Sequence, residues 1–428
     1  MTTTDTRRGL DAAVWVALVA FGFALTGAAR ALGLRVGVPG APFTGEYRFK
    51  VEVGTVLAPA VAVAVLAGVR AGVVERLGWR RLLLLAYAAT LAWSLALAVV
   101  DGGNGLAFPV THDYLGDVAA VRDDPARFVR EFVAHAPSYG EATRTHPPAP
   151  VLLLWALRRL GATRPATLGV LVTMLGCLTV PFTGVALRSL CGERAARRLL
   201  PALVLAPYAV WVAVSMDGVT AALVAGFVAL GVVGSEPGRR PWWALGSGVV
   251  LGVAALFSYA VGWLAAIPLI VCFVRRRATT IAFIGFGALL PLAVARAWGF
   301  VWPDGLTVAQ ADWSVRVGPH RSWLLWAFLD IVVLVIACGP HVVTAARRIR
   351  RTPGWPFVVG AGIGVAFAIG SGLARGEVER SWLPFFPWLL VPVTGDDDDG
   401  EPGRPSLLLL ALGAGAAVVI ESVLRSSW

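Results

Sequence analysis

Apolar residues run in long stretches along most of this chain, and polar residues gather in the gaps between them. A stretch of about 20 apolar residues is the length a helix needs to cross a hydrocarbon core of ~30 Å. By that measure spans are predicted at about 12–32, 52–72, 80–100, 165–188, 197–214, 218–234, 242–258, 260–274, 279–298, 322–345, 355–373, 383–394 and 405–424. The first of these follows Arg7 and Arg8, but its length and the many spans after it predict an uncleaved helix rather than a signal peptide. The apolar piece 149–160 is too short, because twelve helical residues rise only about 18 Å. It is read as a re-entrant or interfacial helix. The expected fold class is all-α: a polytopic transmembrane bundle of about 11–13 spans, with an extracytoplasmic loop carrying interfacial helices.

Arginine placement orients the bundle, since cytoplasmic loops collect basic residues. Arg70, Arg76, Arg80 and Arg81 mark one loop, and Arg188, Arg194, Arg197 and Arg198 another. Arg239 and Arg240, Arg275 to Arg277, and Arg347, Arg348, Arg350 and Arg351 mark three more. The clusters share one side only if 149–160 does not cross, which places Arg158, Arg159 and Arg164 outside as the discordant group. The outer face then receives 34–50, 101–148, the Ser215–Gly218 corner, Ser258 and Tyr259, 299–321 and 374–382. The inner face receives Asp396 to Asp399, a run read as a solvated loop. Three regions are expected: 1–100 as N-terminal membrane helices, 101–164 as an extracytoplasmic loop with its short helix, and 165–428 as the remaining bundle. No repeat of fixed period is visible.

Composition agrees with this picture. Of 428 residues, 57% are hydrophobic and 15% charged, and the mean hydropathy is +0.73. These values exclude a soluble enzyme, a disordered chain and an outer-membrane barrel. The net charge of +11 sits in the loop clusters, so it is assigned to membrane anchoring and not to nucleic acid. Cys177, Cys191, Cys272 and Cys338 lack ligand spacing and three lie in apolar runs, which implies neither zinc nor disulfides.

Chemistry concentrates in 101–148, the one long stretch of soluble-protein composition. Within Thr111-His112-Asp113-Tyr114-Leu115-Gly116-Asp117, two carboxylates stand four residues apart, on one face if helical. Such a pair suits a general base, while Asp113 could equally cap a surface helix. A divalent metal ion between Asp113 and Asp117 is possible chemistry, but two carboxylates alone do not make a site. Asp124-Pro125 begins a second helix, whose Phe128, Val129, Phe132 and Val133 form an apolar stripe suited to the membrane interface. His146-Pro147-Pro148 then leads into the short apolar helix, with His146 at its mouth. Asp217 in Ser215-Met216-Asp217-Gly218 interrupts two apolar runs, as turn chemistry or as a functional carboxylate.

The acidic outer loop, the amphipathic helix, the His-Pro-Pro helix, the Arg188–Arg194 corner and the Ser-x-Asp corner follow one another in an order that resembles the GT-C superfamily. These are integral membrane glycosyltransferases that use polyprenyl-phosphate-linked sugars, among them protein O-mannosyltransferases, lipid A aminoarabinose transferases and actinobacterial mannosyl- and arabinosyltransferases. The resemblance covers roughly residues 80–235. It implies that Asp113 is the catalytic base with Asp117 as the second acidic position, and that His146 and Asp217 shape the site. In the familiar arrangement the acidic loop directly follows the first helix, which makes Glu46 in 34–50 another acidic candidate.

The resemblance further implies a polyprenyl-phosphate sugar donor, a glycan, lipid or protein acceptor, inversion at the anomeric carbon, and a site on the outer face of the cytoplasmic membrane. No Gly-rich phosphate loop is present, as fits a donor without a nucleotide. Basic groups are needed for the departing phosphate, and the outer candidates are Arg144, Arg316, Arg321, Arg375 and Arg380, with Glu379 beside the last as a further substrate-binding candidate, or as half of an internal Glu–Arg pair that stabilises the loop. Trp298, Trp302, Trp313 and Trp323 read as an interfacial belt or a sugar-stacking surface. Two further readings are a transporter or flippase of a lipid-linked substrate, for which Asp330 and Arg296 are the sparse intramembrane candidates, and a non-catalytic membrane subunit.

Overall fold

The structure is a computed structural model and describes residues 3–37, 42–43, 45–50, 52–395 and 406–425. The acidic run Asp396 to Asp399 lies outside the described residues. The chain is an all-α, polytopic helical bundle. Among the described residues, five helices are long and apolar enough to cross a membrane: Thr6–Ala31, Trp79–Leu106, Pro165–Cys191, Met216–Gly234 and Ala278–Ala297. Shorter apolar helices occupy Gly54–Arg70, Trp242–Ala255, Tyr259–Val274, Trp355–Ser371 and Leu407–Val423. A two-residue antiparallel ribbon, Glu46–Tyr47 with Leu424–Arg425, ties the segment after the first helix to the end of the last. Glu46 is therefore a ribbon residue.

Met216–Gly234 forms the axis of the bundle and is buried along nearly its whole length. It packs on Thr179–Cys191, Pro165–Gly176 and Trp242–Ala255. The last of these lies close against Ala278–Ala297, where a Cβ on Gly248 would come 2.0 Å from the carbonyl oxygen of Ile284. Only glycine permits that approach, which is how helices gain van der Waals contact in lipid.

Three predicted spans are not continuous helices. In 197–214 the helix Glu193–Val204 ends before Pro207 and resumes only as Ala209–Val212. In 322–345, Trp323–Cys338 bends by 107° into His341–Arg351 at Gly339-Pro340. In 383–394, which holds Pro384, Pro387 and Pro392, only the short turns Phe386–Leu389 and Val391–Thr394 form. Proline lacks the amide donor a continued helix needs. The three breaks meet in the interior: Tyr208 N–H donates to Ala337 O at 2.8 Å, and the Tyr208 and Phe386 rings stack at 6.1 Å. Their apolar side chains are enclosed by protein, and irregular backbone at membrane depth is tolerated only there.

The two ends of the axial helix differ in character. At its C-terminal end, Arg275 donates to Val232 O at 2.7 Å, Ser235 Oγ at 2.8 Å and Ser189 O at 2.6 Å, and Glu236 pairs with Arg239. Arg197 joins the carbonyls of Val74 and Leu77, so the arginine loops of the sequence gather at this end. The other end, about 28 Å away along 19 residues, carries Asp217.

Candidate functional site

Asp217 sits in the first turn of the axial helix, where the helix dipole favours a carboxylate. Ser215 caps this turn, its Oγ accepting from Asp217 N at 3.1 Å. The preceding Val214 has φ +58°, a left-handed conformation that costs a β-branched residue of order 1–3 kcal/mol. Thr173 holds it there by accepting Val214 N–H at 2.8 Å. Backbone strain kept by its surroundings is a frequent companion of functional sites.

Asp113 is the last residue of the helix Phe108–Asp113, which begins with Pro109 in its first turn. It does not cap a helix start. The chain leaves the helix at Tyr114, at φ −130° and ψ −23°, because the Tyr114 ring turns into a cluster with Val110, Val118, Phe128 and Val151. That break separates the two carboxylates expected to share a face. Asp117, in the next turn, accepts the backbone N–H of Gly140 at 3.0 Å and fastens the 115–121 turn to the start of Glu141–Thr145. Asp113 and Asp117 thus serve different partners, and among the described residues no cluster of three His, Cys, Asp or Glu is placed to hold a metal ion. Removing the Asp117 acceptor in Asp117→Ala is expected to cost about 0.5–1.5 kcal/mol, because the exposed Gly140 amide can turn to water, read as a lowered midpoint of thermal unfolding, with Asp117→Asn close to the parent protein.

Arg380 is the third member. It lies on the short helix Val378–Ser381, reached through a loop held by long side chains. Arg321 donates to Arg375 O at 2.6 Å and to Glu377 at 2.5 Å, Arg375 donates to Gly318 O at 2.8 Å, and Asp330 accepts Gly376 N–H at 3.0 Å. From this platform the Arg380 guanidinium reaches between the other two chains. Its Nη2 donates to Asp113 Oδ2 at 2.5 Å and its Nε donates to Asp217 Oδ2 at 3.1 Å. The three side chains are 14% exposed or less. Burial alone would weaken the charge of Arg380, but the two carboxylates outweigh it and hold the group more firmly protonated than usual. One cation therefore faces two anions in a largely enclosed centre.

Sequence reasoning did not assign Tyr114 a role, although it adjoins Asp113. Burial pushes its hydroxyl well above the usual range, and the charges of Asp217 and Asp113 push it further. His146 stands behind it, ring edge to ring at 6.1 Å, with Nδ1 donating to Ala142 O at 2.8 Å. His146 thus reaches the centre through the Tyr114 ring. Arg144 is drawn elsewhere, with Nε 3.0 Å from Asp312 Oδ1 and Nη1 donating to Tyr139 O. Arg316 pairs with the same Asp312. Glu379 is fully enclosed behind Arg380.

Two further segments find partners within the bundle. The stripe of the helix Pro125–His135 is covered by protein, with Phe132 edge-on to Phe300 at 5.9 Å and Phe128 beside Tyr139 at 5.9 Å. An apolar stripe reads alike for lipid and for protein. The tryptophans of 298–323 take separate partners. Trp302 donates to Ala255 O, Trp323 donates to Ile369 O, Trp313 lies under Arg375, and Trp298 is exposed. The short helix Ala149–Arg159 packs on the 115–121 turn, with Trp155 donating to Arg122 O at 2.9 Å.

Fold and site together define a multi-pass helical membrane protein with an Asp–Arg–Asp centre at one end of its axial helix. No family model matches the chain, and no curated protein matches it. Among solved structures it is similar to ArnT from Cupriavidus metallidurans bound to undecaprenyl phosphate, at 17% identity and a TM-score of 0.44, over 72% of this chain and 59% of that one. It is also similar to the same protein in the apo state, at 19% identity and a TM-score of 0.39, over 70% of this chain and 58% of that one. The chain thus spans less than two thirds of the length of either.

Proposed function

We propose that this protein is a GT-C-type glycosyltransferase that moves a sugar from a polyprenyl-phosphate donor to a hydroxyl of a cell-envelope acceptor. The observation that carries this reading is the meeting of Asp113, Asp217 and Arg380, which lie far apart in sequence, at one end of the bundle. The centre offers a carboxylate to take a proton and a guanidinium to receive a phosphate, the two charges that such a transfer needs.

In the resting site Asp113 Oδ2 accepts from Arg380 Nη2, and the carboxylate keeps further lone pairs with which to take a proton. The donor phosphate binds the same guanidinium, because a guanidinium fork matches phosphate as well as carboxylate. Asp113 then takes the acceptor hydroxyl proton while the oxygen attacks the anomeric carbon. The bond from that carbon to the phosphate oxygen breaks with inversion, and polyprenyl phosphate leaves with its charge on Arg380. Asp217 keeps the guanidinium in place throughout, His146 supports the Tyr114 wall, and Asp117 and Arg144 fix the loop that carries them.

The arginine-rich end of the bundle faces the cytoplasm by the positive-inside rule, which puts the centre on the outer face of the cell membrane. In a Cys191→Ser background, Ser138→Cys is expected to react with a membrane-impermeant maleimide in intact cells, and Arg240→Cys only after lysis. The reverse pattern would refute the orientation. The transfer itself is tested in proteoliposomes with polyprenyl-phosphate sugars. Sugar release that needs both an acceptor and intact Asp113 supports the reading, whereas carrier translocation without transfer would assign the chain to transport.

A further inference from the structure

Glu379 has no exposed surface, and neither of its carboxyl oxygens makes a well-formed hydrogen bond to another group. It neighbours Arg380 in sequence, yet the guanidinium turns away from it toward Asp113 and Asp217. The short helix carrying both residues packs on Trp323–Cys338. The facing part of that helix holds two more unsatisfied polar atoms, Asp330 Oδ2 and Trp326 Nε1. Trp326 and Asp330 are four residues apart and so share a helix face, beside the Gly376 turn that Asp330 fastens.

A carboxylate enclosed in this way would be unstable without a cation, and the nearest cation is already shared by two other carboxylates. We infer that Glu379 is a positioning residue for Arg380: as a neutral acid it leaves the guanidinium to Asp113 and Asp217, and on ionisation it competes for that guanidinium and loosens the helix that presents it. This deepens the transferase reading and rests on Arg380 being the cation of that site.

The groups around Glu379 support this assignment. Burial pushes its carboxyl up to about 8, Glu377 and Asp330 add to the rise, and Arg380 and its own backbone N–H oppose it. Asp330 is the titratable group facing it from Trp323–Cys338, and Arg321 stands beyond Asp330. Met216–Gly234 contributes Asp217, held by Arg380, and Ala209–Val212 contributes no titratable side chain. Since the folded-state value lies above the unfolded one, the neutral form is complete at low pH. Its contribution to stability is full below the ordinary value of 4.5 and falls until pH reaches about 8.

The test uses the full chain in proteoliposomes. The infrared difference between the parent protein and Glu379→Gln should show a protonated carboxyl at about pH 6 that disappears as pH passes about 8, the subtraction removing the bands of other enclosed carboxyls such as Asp330 and Glu421. The kcat for transfer should fall over the same interval in the parent, and in Glu379→Gln the fall should move up by about one pH unit or more. Glu379→Ala, which leaves the helix unsupported, should lose about a hundredfold in kcat at neutral pH, while Glu379→Gln restores most of it. An identical infrared band in the parent and Glu379→Gln, or an identical alkaline fall in both, overturns the inference. If no carrier supports transfer, the infrared titration still decides the state of Glu379, so the two readings fail separately.

Discussion

Asp113→Asn is expected to abolish sugar transfer while leaving the protein folded and inserted. The asparagine side-chain oxygen can still accept from Arg380 Nη2, so the geometry of the centre is retained and only the ability to take a proton is lost. General-base catalysis contributes about 10²–10⁴ in rate, and a loss of that size with an unchanged unfolding midpoint would identify Asp113 as the base. Asp117→Asn is the matched control, because Asp117 binds the Gly140 amide and not Arg380. Transfer by Asp113→Asn within about threefold of the parent would remove Asp113 from that role.

Arg380→Ala is expected to have two large effects. It leaves Asp113 and Asp217 buried beside each other with no cation between them, a change that costs about 3–5 kcal/mol. It also removes the phosphate receptor, so transfer should be lost. The two effects separate in a triple variant, Arg380→Met with Asp113→Asn and Asp217→Asn, in which no unpaired charge is buried. The unfolding midpoint should recover there and transfer should not. Arg380→Lys keeps the charge but loses the fork that bonds both carboxylates, and should fall between the two in stability. An Arg380→Ala protein as stable as the parent would mean that the centre is not the enclosed ion cluster described here.

The candidate site was partly legible in the sequence. Asp113, Asp217 and Arg380 stood out because a charged residue among apolar runs is costly unless it serves a purpose, and the arginine loops placed all three at one end. Tyr114 and Glu379 were harder to judge. A tyrosine in a loop carries no sign of which way its ring turns, and a Glu-Arg dipeptide reads as an internal pair. In the structure the arginine goes to two distant aspartates instead. Asp117 was misread for a related reason. The spacing of four implies a shared face only while the helix continues, and the buried Tyr114 ring ends it between the two residues.

What the sequence determined by itself is the solvent. Its apolar runs require lipid or protein around them, its arginine loops require one shared side, and its prolines forbid helix where they cluster, all of which are local properties of the chain. Only the tertiary structure decided which apolar runs face protein and which are continuous spans. Hydropathy is blind to that difference: 383–394 and 197–214 read as spans but are wrapped by other helices. The tertiary structure also decided who pairs with whom. Arg380 and Asp113 are 267 residues apart, and they meet because the packing of several helices brings their ends to one place.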